Sequence, residues 1–290
     1  MSEGPLEAVR EDGQVVWTQW CRPQEQALAG RQAGTDLGLA SSLFGHAAAR
    51  YDHSRPLPVH AHVRVGRDTA DLTGLRVLLT ADLLTRLAEL GGLQVLITRA
   101  FTGDPAGQGA VERAATALGI HPPSLAAPLG TPPGKPVGMH VADDGAVGES
   151  DLGRIMIRVA PARLALDAHA ARAATDLFGD HDPMAVRLAL MSFPRHQIAE
   201  LTAGVLASAL ETLGQWRRSV AGWAEYPSHA IPEWIAAAVR AAFGYVGIAS
   251  ALDLLDALTV DETLPPGARF ETFAYTDRIL GLDLARDIGR

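Results

Sequence analysis

Two histidines, His60 and His62, lie one residue apart in a segment of alternating apolar and polar residues. Alternate residues of an extended strand share one face, so these two imidazoles could bind a metal ion together. The spacing indicates no third ligand, and polar residues at alternate positions are also typical of a half-exposed strand. We favour that structural interpretation and keep the histidine pair as candidate metal ligands.

A second polar group, Thr102 to Asp104, follows a compact apolar segment and precedes Pro105. Ligands of parallel α/β proteins bind beyond the carboxyl ends of the strands, where such residues would lie. The pattern therefore suggests a residual small-molecule or nucleotide pocket that includes Thr102 and Asp104. Gly107 and Gly109 are close by, but they are too few to form a phosphate-binding loop.

Two further groups of residues are candidates. The first is a polar cluster of Asp180, His181 and Asp182, with His169 upstream. The second is a set of three tryptophans, Trp216, Trp223 and Trp234. Aspartate and histidine are common in a turn before a helix, so the cluster needs no functional explanation. The tryptophans could stack on nucleic-acid bases. Helix packing or a partner surface is the more ordinary role of such residues, and we favour it.

The elements that would position the candidates begin with a strand–helix–strand pattern. Period-two alternation predicts a strand over residues 59–65, and apolar residues at helical spacing predict a helix over 75–90. Gly91 and Gly92 end this helix, and a compact apolar strand follows over 93–98. Such an order is typical of a parallel βαβ unit.

The rest of the chain divides into a short α/β part and a long helical part. We expect a helix over 107–118, a Pro/Gly-rich connection over 122–138, a polar stretch over 139–153, a strand over 155–159, and helices over 164–178, 184–192, 197–223, 232–243, 249–258 and 271–284. The predicted domains are an irregular arm (1–58), a truncated Rossmann-like domain (59–180) and a helical bundle (181–290).

Composition limits the function. The chain has 290 residues, a net charge of −8 and a single cysteine, Cys21. A lone cysteine excludes an internal disulfide and a cysteine-based zinc site within one chain. Nucleic-acid binders normally present a basic face, so tRNA is not an expected partner. No apolar run reaches the roughly 18 residues of a membrane span and no secretory signal is evident, so the expected location is cytoplasmic, away from membranes.

Four segments resemble cysteinyl-tRNA synthetase and its relative, the cysteine ligase of mycothiol synthesis. They are LRVLLTADLLTRLAELGGLQVLITRAFTGD (75–104), DGAVGESDLGR (144–154), DPMAVRLALMS (182–192) and PGARFETFAYTDRILGLDLARDIG (266–289). The first two match the family mainly by spacing, at the HIGH and KMSKS signatures, and the last two by identity. The resemblance implies a class I synthetase Rossmann-like domain followed by a helix bundle.

The family's catalytic groups are missing at the matching positions of this chain. The two histidines of HIGH fall on Asp71 and Gly74, and Arg76 matches the arginine that ends this motif. An aspartate where a triphosphate would lie opposes ATP binding, and it suits a helix cap instead. The two lysines of KMSKS fall on Val147 and Ser150.

Other parts of the family's site are also missing. Lys135 is the only lysine of the chain, and about 40 residues between the two signatures replace the family's long insertion with its zinc ligands. ATP and zinc are therefore expected to be lost. A residual pocket would lie around Asp71, Gly74, Arg76, Thr102, Asp104, Asp144 and Gly145.

Three functions follow, in descending order of preference. The first is a non-catalytic synthetase-like protein that binds a partner protein or a small molecule. The second is an enzyme repurposed for another reaction, such as amide ligation in specialised metabolism, because a fold does not determine its chemistry. The third is a tRNA-binding accessory protein. The sequence does not indicate the ligand, the catalytic residues of any remaining activity, or the oligomeric state.

Overall fold

The structure, a computed structural model, describes residues 56–66, 72–90, 92–124, 138–143, 155–165, 182–243 and 248–290. It also describes the backbone of two short antiparallel strands, β1 (Arg10–Glu11) and β2 (Gln14–Val15).

The α/β part of the described chain contains strands β3 to β8 and three helices. In chain order they are β3 (Leu57–Val65), α1 (Leu72–Leu90), β4 (Val95–Gly103), α2 (Pro105–Ala117), β5 (Met139–Asp143), β6 (Ile155–Val159), β7 (Ala162–Ala165), α3 (Pro183–Met191) and β8 (Ala199–Thr202). Four helices complete the chain: α4 (Ala203–Trp223), α5 (Glu233–Ala241), α6 (Ile248–Val260) and α7 (Pro266–Leu280).

Strands β3 to β6 form a parallel sheet in the order β4-β3-β5-β6. The central strand β3 alternates between two faces, and its buried set is Leu57, Val59, Ala61, Val63 and Val65. Helix α1 contacts all four strands and supplies the apolar surface that buries this set. The predicted parallel βαβ unit is confirmed, and the chain is an α/β protein.

One hydrophobic cluster contains buried side chains of the sheet, of α1 and of the C-terminal helices. Helix α3 packs on α4, and α7 packs on both α1 and α4. The helical part therefore contacts the sheet through α1. The predicted domain boundary near residue 180 lies outside the described residues, so the division into domains stays a prediction. Within the described residues, no helix is long and apolar enough to cross a membrane.

Three strands of the α/β part, β5, β7 and β8, were not expected from the sequence, and neither were β1 and β2 in the arm that was predicted to be irregular. Residues 139–143 form β5 beside the central strand, although their neighbourhood predicted a polar stretch. The helices predicted over 164–178 and 197–223 are wrong at their first residues, because β7 and β8 pair there as a short parallel ladder. Ala199 and Leu201 of β8 are fully buried, so tertiary burial overrides their helix propensity. The Thr202 hydroxyl then caps α4.

Helix α7 ends at Gly281, which has a positive φ of 62°. A Cβ atom there would lie 3.0 Å from Arg86 Cζ and 3.1 Å from Arg187 Nη2. Both the left-handed backbone and the close approach of two guanidinium groups therefore favour glycine.

We predict that Gly281→Ala lowers the free energy of unfolding by about 3 kcal/mol, through backbone strain and displacement of the two guanidinium groups. The matched control is Gly92→Ala, where φ is also positive (80°) and no atom lies within 4 Å of the added carbon. Strain alone should cost the control about 1 kcal/mol. Urea unfolding measures both, and equal losses would show that the contacts with Arg86 and Arg187 do not constrain this glycine.

Candidate functional site

The sheet has a topological switch point between β3 and β5. The chain runs from β3 to β4 on one side and then returns to β5 on the other. The connections that leave the carboxyl ends of β3 and β5 therefore diverge, and open α/β sheets bind their ligands in the crevice at such a point. This crevice is the place where a residual pocket is expected on geometric grounds.

An ion pair joins the two strands at this point. Arg64 Nε donates to Asp143 Oδ2 at 2.9 Å, and the carboxylate side chain is 6% exposed while the arginine side chain is 54% exposed. Arg158 of β6 donates to the Asp143 carbonyl oxygen at 3.5 Å. A buried carboxylate is therefore paired with one largely exposed guanidinium group, and a second guanidinium group contacts the main chain of the same residue.

Thr102 and Asp104 lie on the other side of β3. Thr102 is opposite Arg64 in the strand register and is exposed. Asp104 caps α2, since its Oδ1 accepts from Ala106 N at 2.9 Å, and its own N–H donates to the Val65 carbonyl. Gly103 has a positive φ and approaches the Val65 carbonyl too closely for a side chain. The turn that carries this polar pair is thus tightly packed against the end of β3.

Gly74 and Arg76 are buried in α1, and Arg76 is directed toward main-chain carbonyl groups. The acceptors of its guanidinium group are the carbonyl oxygens of Ala160, Pro161, Phe193, Pro194 and Gln197. These carbonyls follow β6 and α3, at the opposite side of the sheet from Thr102. The structure therefore does not bring Arg76 together with Thr102 and Asp104. Asp71, Asp144 and Gly145 lie outside the described residues.

His60 and His62 share the sheet face that points away from α1, as the alternation predicted. A third imidazole, His140 of β5, lies beside them: its Nδ1 shares a hydrogen bond of 2.9 Å with His62 Nε2, and its ring stacks on that of His60 at 4.7 Å. His60 Nδ1 contacts Thr98 Oγ1 at 2.5 Å. Among the described residues, no group of three or more histidine, cysteine or acidic side chains is arranged to hold a metal ion.

A buried ion pair connects the sheet part with the helical part. Asp82 of α1 accepts from Arg187 Nη2 at 2.6 Å and from Arg86 Nε at 2.9 Å through one oxygen. Its other oxygen accepts from the main-chain N–H and the ring of His121. Burial alone would raise the pKa of Asp82, but the hydrogen bond from His121 and the charges of Arg187 and Arg86 hold the pKa well below its usual range.

Arg187 uses its remaining donors on the main chain. Its Nε donates to the Leu280 carbonyl at 2.6 Å and its Nη1 to the Leu118 carbonyl at 2.9 Å, and the side chain is fully buried. Arg187 belongs to the segment DPMAVRLALMS, and Leu280 belongs to the tail segment 266–289. Segments 182–192 and 266–289 are therefore in direct contact.

Asp182, which begins the first of these segments, makes a second link between them. Its Oδ1 accepts from Met184 N and caps α3, while Oδ2 accepts from Arg217 at 2.6 Å and from Arg286 at 2.7 Å. Arg217 also donates to the carbonyls of Leu282 and Asp283. The polar cluster noted in the sequence thus has a structural role at Asp182. His169, Asp180 and His181 lie outside the described residues.

Sequence reasoning missed several charged residues of these sites. Arg64 occupies a polar position of a correctly predicted strand, but its partner Asp143 lies on β5, which was not predicted. Asp82 and Arg187 lie in predicted helices. A charged residue among apolar neighbours in each helix could have indicated that the charge is buried and paired. Trp216 and Trp223 are packed against Phe273 in the helical core, as favoured, and Trp234 is 37% exposed.

The fold and this site together define a parallel α/β protein with an extended helical part. Comparison with known proteins finds no protein-family model that matches the chain. It also finds no significantly similar curated protein.

We predict that Asp82→Asn lowers the free energy of unfolding at pH 7 by about 3–5 kcal/mol, because Arg187 is left buried without an anionic partner. The folded pKa of Asp82 lies below the unfolded value of about 4. Its contribution is therefore fully present above that pH and is lost as the pH falls through the folded pKa. The difference between wild type and variant should shrink as the pH falls below about 4.

Asp287→Asn is the matched control, because Asp287 pairs with Arg290 at 3.5 Å while 38% exposed. This change should alter the free energy of unfolding by about 0.5 kcal/mol or less. Urea unfolding from pH 3 to pH 7 measures the two variants. A similar effect of both at pH 7 would contradict the importance assigned to the Asp82–Arg187 pair.

Proposed function

We propose that this chain is a non-catalytic protein with the class I synthetase type of Rossmann-like domain and helical bundle, related to cysteinyl-tRNA synthetase, and that it acts by binding a partner. The observation that carries the proposal concerns the segments that resemble the family by identity. Arg187 is engaged in buried contacts and Asp182 in partly buried contacts within the helical part, rather than at the crevice of the sheet. Such contacts stabilise the fold and require no catalytic role.

The positions that would perform adenylation have unsuitable chemistry. Binding a triphosphate needs donors or cations, and at the signature positions the chain has Asp71, Gly74, Val147 and Ser150. Arg76 retains a guanidinium group, but its donors are engaged with main-chain carbonyls. Lys135, in the Pro/Gly-rich connection, would have to supply any lysine chemistry by itself.

Cysteine recognition through zinc fits the residues present equally poorly. The family's first zinc ligand is a cysteine on the strand before HIGH, which corresponds to β3 here, and β3 contains no cysteine. Thiolate ligands are the feature that makes such a site selective for zinc. The imidazoles of His60, His62 and His140 are stacked or hydrogen-bonded with one another, which is not an arrangement around a common ion.

A repurposed enzyme is the second candidate, and the ion pair at the switch point is the observation that favours it. Arg64 is largely exposed beside the buried Asp143, so its guanidinium group could orient an anionic substrate at the crevice. The carboxylate beside it, Asp143, is 6% exposed and already accepts from Arg64, so it is poorly accessible as a general base. We therefore rank this candidate below a binding protein.

We predict that the purified 290-residue chain shows no ATP–pyrophosphate exchange above background with any of the twenty standard amino acids. The physical reason is the loss of the cationic groups that stabilise the transferring nucleotide, each of which contributes on the order of a hundredfold or more to the rate. An active cysteinyl-tRNA synthetase assayed in parallel is the positive control.

Exchange that saturates with one amino acid would overturn the proposal. Arg64→Gln should then be tested in the same assay, with the exposed Arg218→Gln as its control. Loss of exchange in Arg64→Gln alone would support the repurposed enzyme.

A further inference from the structure

Four helix termini meet at one end of the helical part. Helices α4 and α6 end there and α7 begins there. Helix α5 packs on α6, which follows it after a short connection, so the two run antiparallel and the start of α5 lies beside the end of α6. The guanidinium carbon of Arg269, in the first turn of α7, lies 4.8 Å from the ring centroid of Trp223, the last residue of α4. Arg269 also donates to the carbonyl of Thr259 near the end of α6. We call this region the bundle end.

The segment between α4 and α5 is held against the start of α7. Gly267 approaches the carbonyl of Pro227 too closely for any side chain, and the Ser228 hydroxyl donates to Glu271 at 2.5 Å. Trp223 packs edge-on against Phe273 with ring centroids 5.1 Å apart. The bundle end is therefore a fixed surface, which reduces the entropy lost when a partner binds.

Exposed apolar side chains are concentrated at the bundle end. Tyr226 is 57% exposed, Val260 is 55% exposed and Trp234 is 37% exposed. These are three of the six large apolar side chains that are exposed in the described part of the chain; the other three are Ile198, Leu210 and Ile288. Tyrosine and tryptophan are the residue types most enriched at the centres of protein interfaces.

Acidic residues surround these apolar side chains. Exposed carboxylates are provided by Glu225, Glu233 and Glu262. Glu233 is paired at 2.6 Å with Arg240, which is 43% exposed, so this pair adds no net charge and the negative charge comes from Glu225 and Glu262. Arg269 does not offset the negative charge at the surface, because it is directed inward over Trp223. The rim of the bundle end is therefore negatively charged.

The sign of this charge decides between the classes of partner. An acidic rim repels the phosphates of nucleic acids and the headgroups of anionic lipids. It also disfavours a symmetric contact with a second copy of the same end, since like charges would face each other. A protein segment with an apolar centre and flanking lysine or arginine residues is complementary in both respects.

We propose that the bundle end, with Tyr226, Trp234 and Val260 at its centre, is the docking surface for a basic, amphipathic segment of a partner protein. The inference rests on the proposed function, and it specifies which surface binds and what chemistry the partner presents. Apolar contact supplies the affinity, and the acidic rim favours basic segments over neutral or acidic ones.

The test uses the full chain and a synthetic helical peptide of leucine and lysine, with the leucines at helical spacing, in isothermal titration calorimetry. A peptide with glutamate in place of lysine is the control for charge. Tyr226→Ser and Val260→Ser should each weaken binding of the leucine–lysine peptide about tenfold or more. Ile288→Ser, at the far end of the chain and 40% exposed, should leave the affinity unchanged.

Any of three results would overturn the inference: no binding of the basic peptide, equal binding of the acidic peptide, or equal losses in Ile288→Ser. Sedimentation of the wild type and Tyr226→Ser distinguishes a further case, since a dimer that dissociates in the variant would make a second copy the occupant and overturn the proposal.

Pyrophosphate exchange on the same samples separates this inference from the proposed function. Exchange would contradict the proposed function, whereas absent docking without exchange would contradict this inference alone.

Discussion

The buried ion pair between Asp82 and Arg187 is the interaction on which the arrangement of the two parts of the chain depends. Asp82 belongs to the helix that covers the sheet, and Arg187 belongs to the first helix of the C-terminal part. Their contact at 2.6 Å is fully buried, so each charge requires the other. Moving the helical part away from α1 would leave Arg187 buried without its anionic partner, although Asp82 would keep Arg86 and His121. The relative position of the two parts is therefore strongly preferred.

The same pair determines what surrounds it. Arg187 reaches the carbonyls of Leu118 and Leu280, and Arg86 reaches that of Gly119. These carbonyls lie at the ends of α2 and α7, where helical hydrogen bonding leaves acceptors unsatisfied. Gly281 can have no side chain because the guanidinium groups occupy the space beside it. The Asp82 carboxylate thus positions two guanidinium groups that cap the ends of α2 and α7 and hold α3 against α1.

An element could be predicted from the sequence when its own residues carry the pattern, and not when residues distant in the chain determine it. Strand β3 and helix α1 have complete local patterns, and both were predicted with small errors at their ends. Strand β5 has five residues and is buried on account of its neighbours, so Met139 to Asp143 had no periodicity to recognise. Strands β7 and β8 are stabilised by each other and by burial, and these are not local properties.

The candidate site followed the same rule. His60 and His62 were correctly placed on one face, because alternation along one strand determines that. Their contact with His140, and that of Arg64 with Asp143, depend on which strand lies beside β3. The order of strands is set by the connections and by the packing of α1, so spacing in the sequence could not reveal these partners.

The strong preference for arginine over lysine has a structural consequence in this chain. Arg76, Arg187 and Arg217 each donate to two or more main-chain carbonyls while buried. A guanidinium group has five donors in a fixed plane and can serve several carbonyls at once, whereas an ammonium group on a flexible stem cannot. Lysine would therefore be a poor replacement at these positions.

This use of arginine also affects the surface. Cations that serve internal carbonyls do not neutralise surface carboxylates, and Arg269 over Trp223 is a further example. With a net charge of −8, the chain is left with acidic regions such as the rim at Glu225 and Glu262. The internal role of arginine and the acidic bundle end are thus two consequences of the same distribution of charge. The partner proposed for this end would supply the basic groups, because buried arginines of this chain donate to its own main-chain carbonyls.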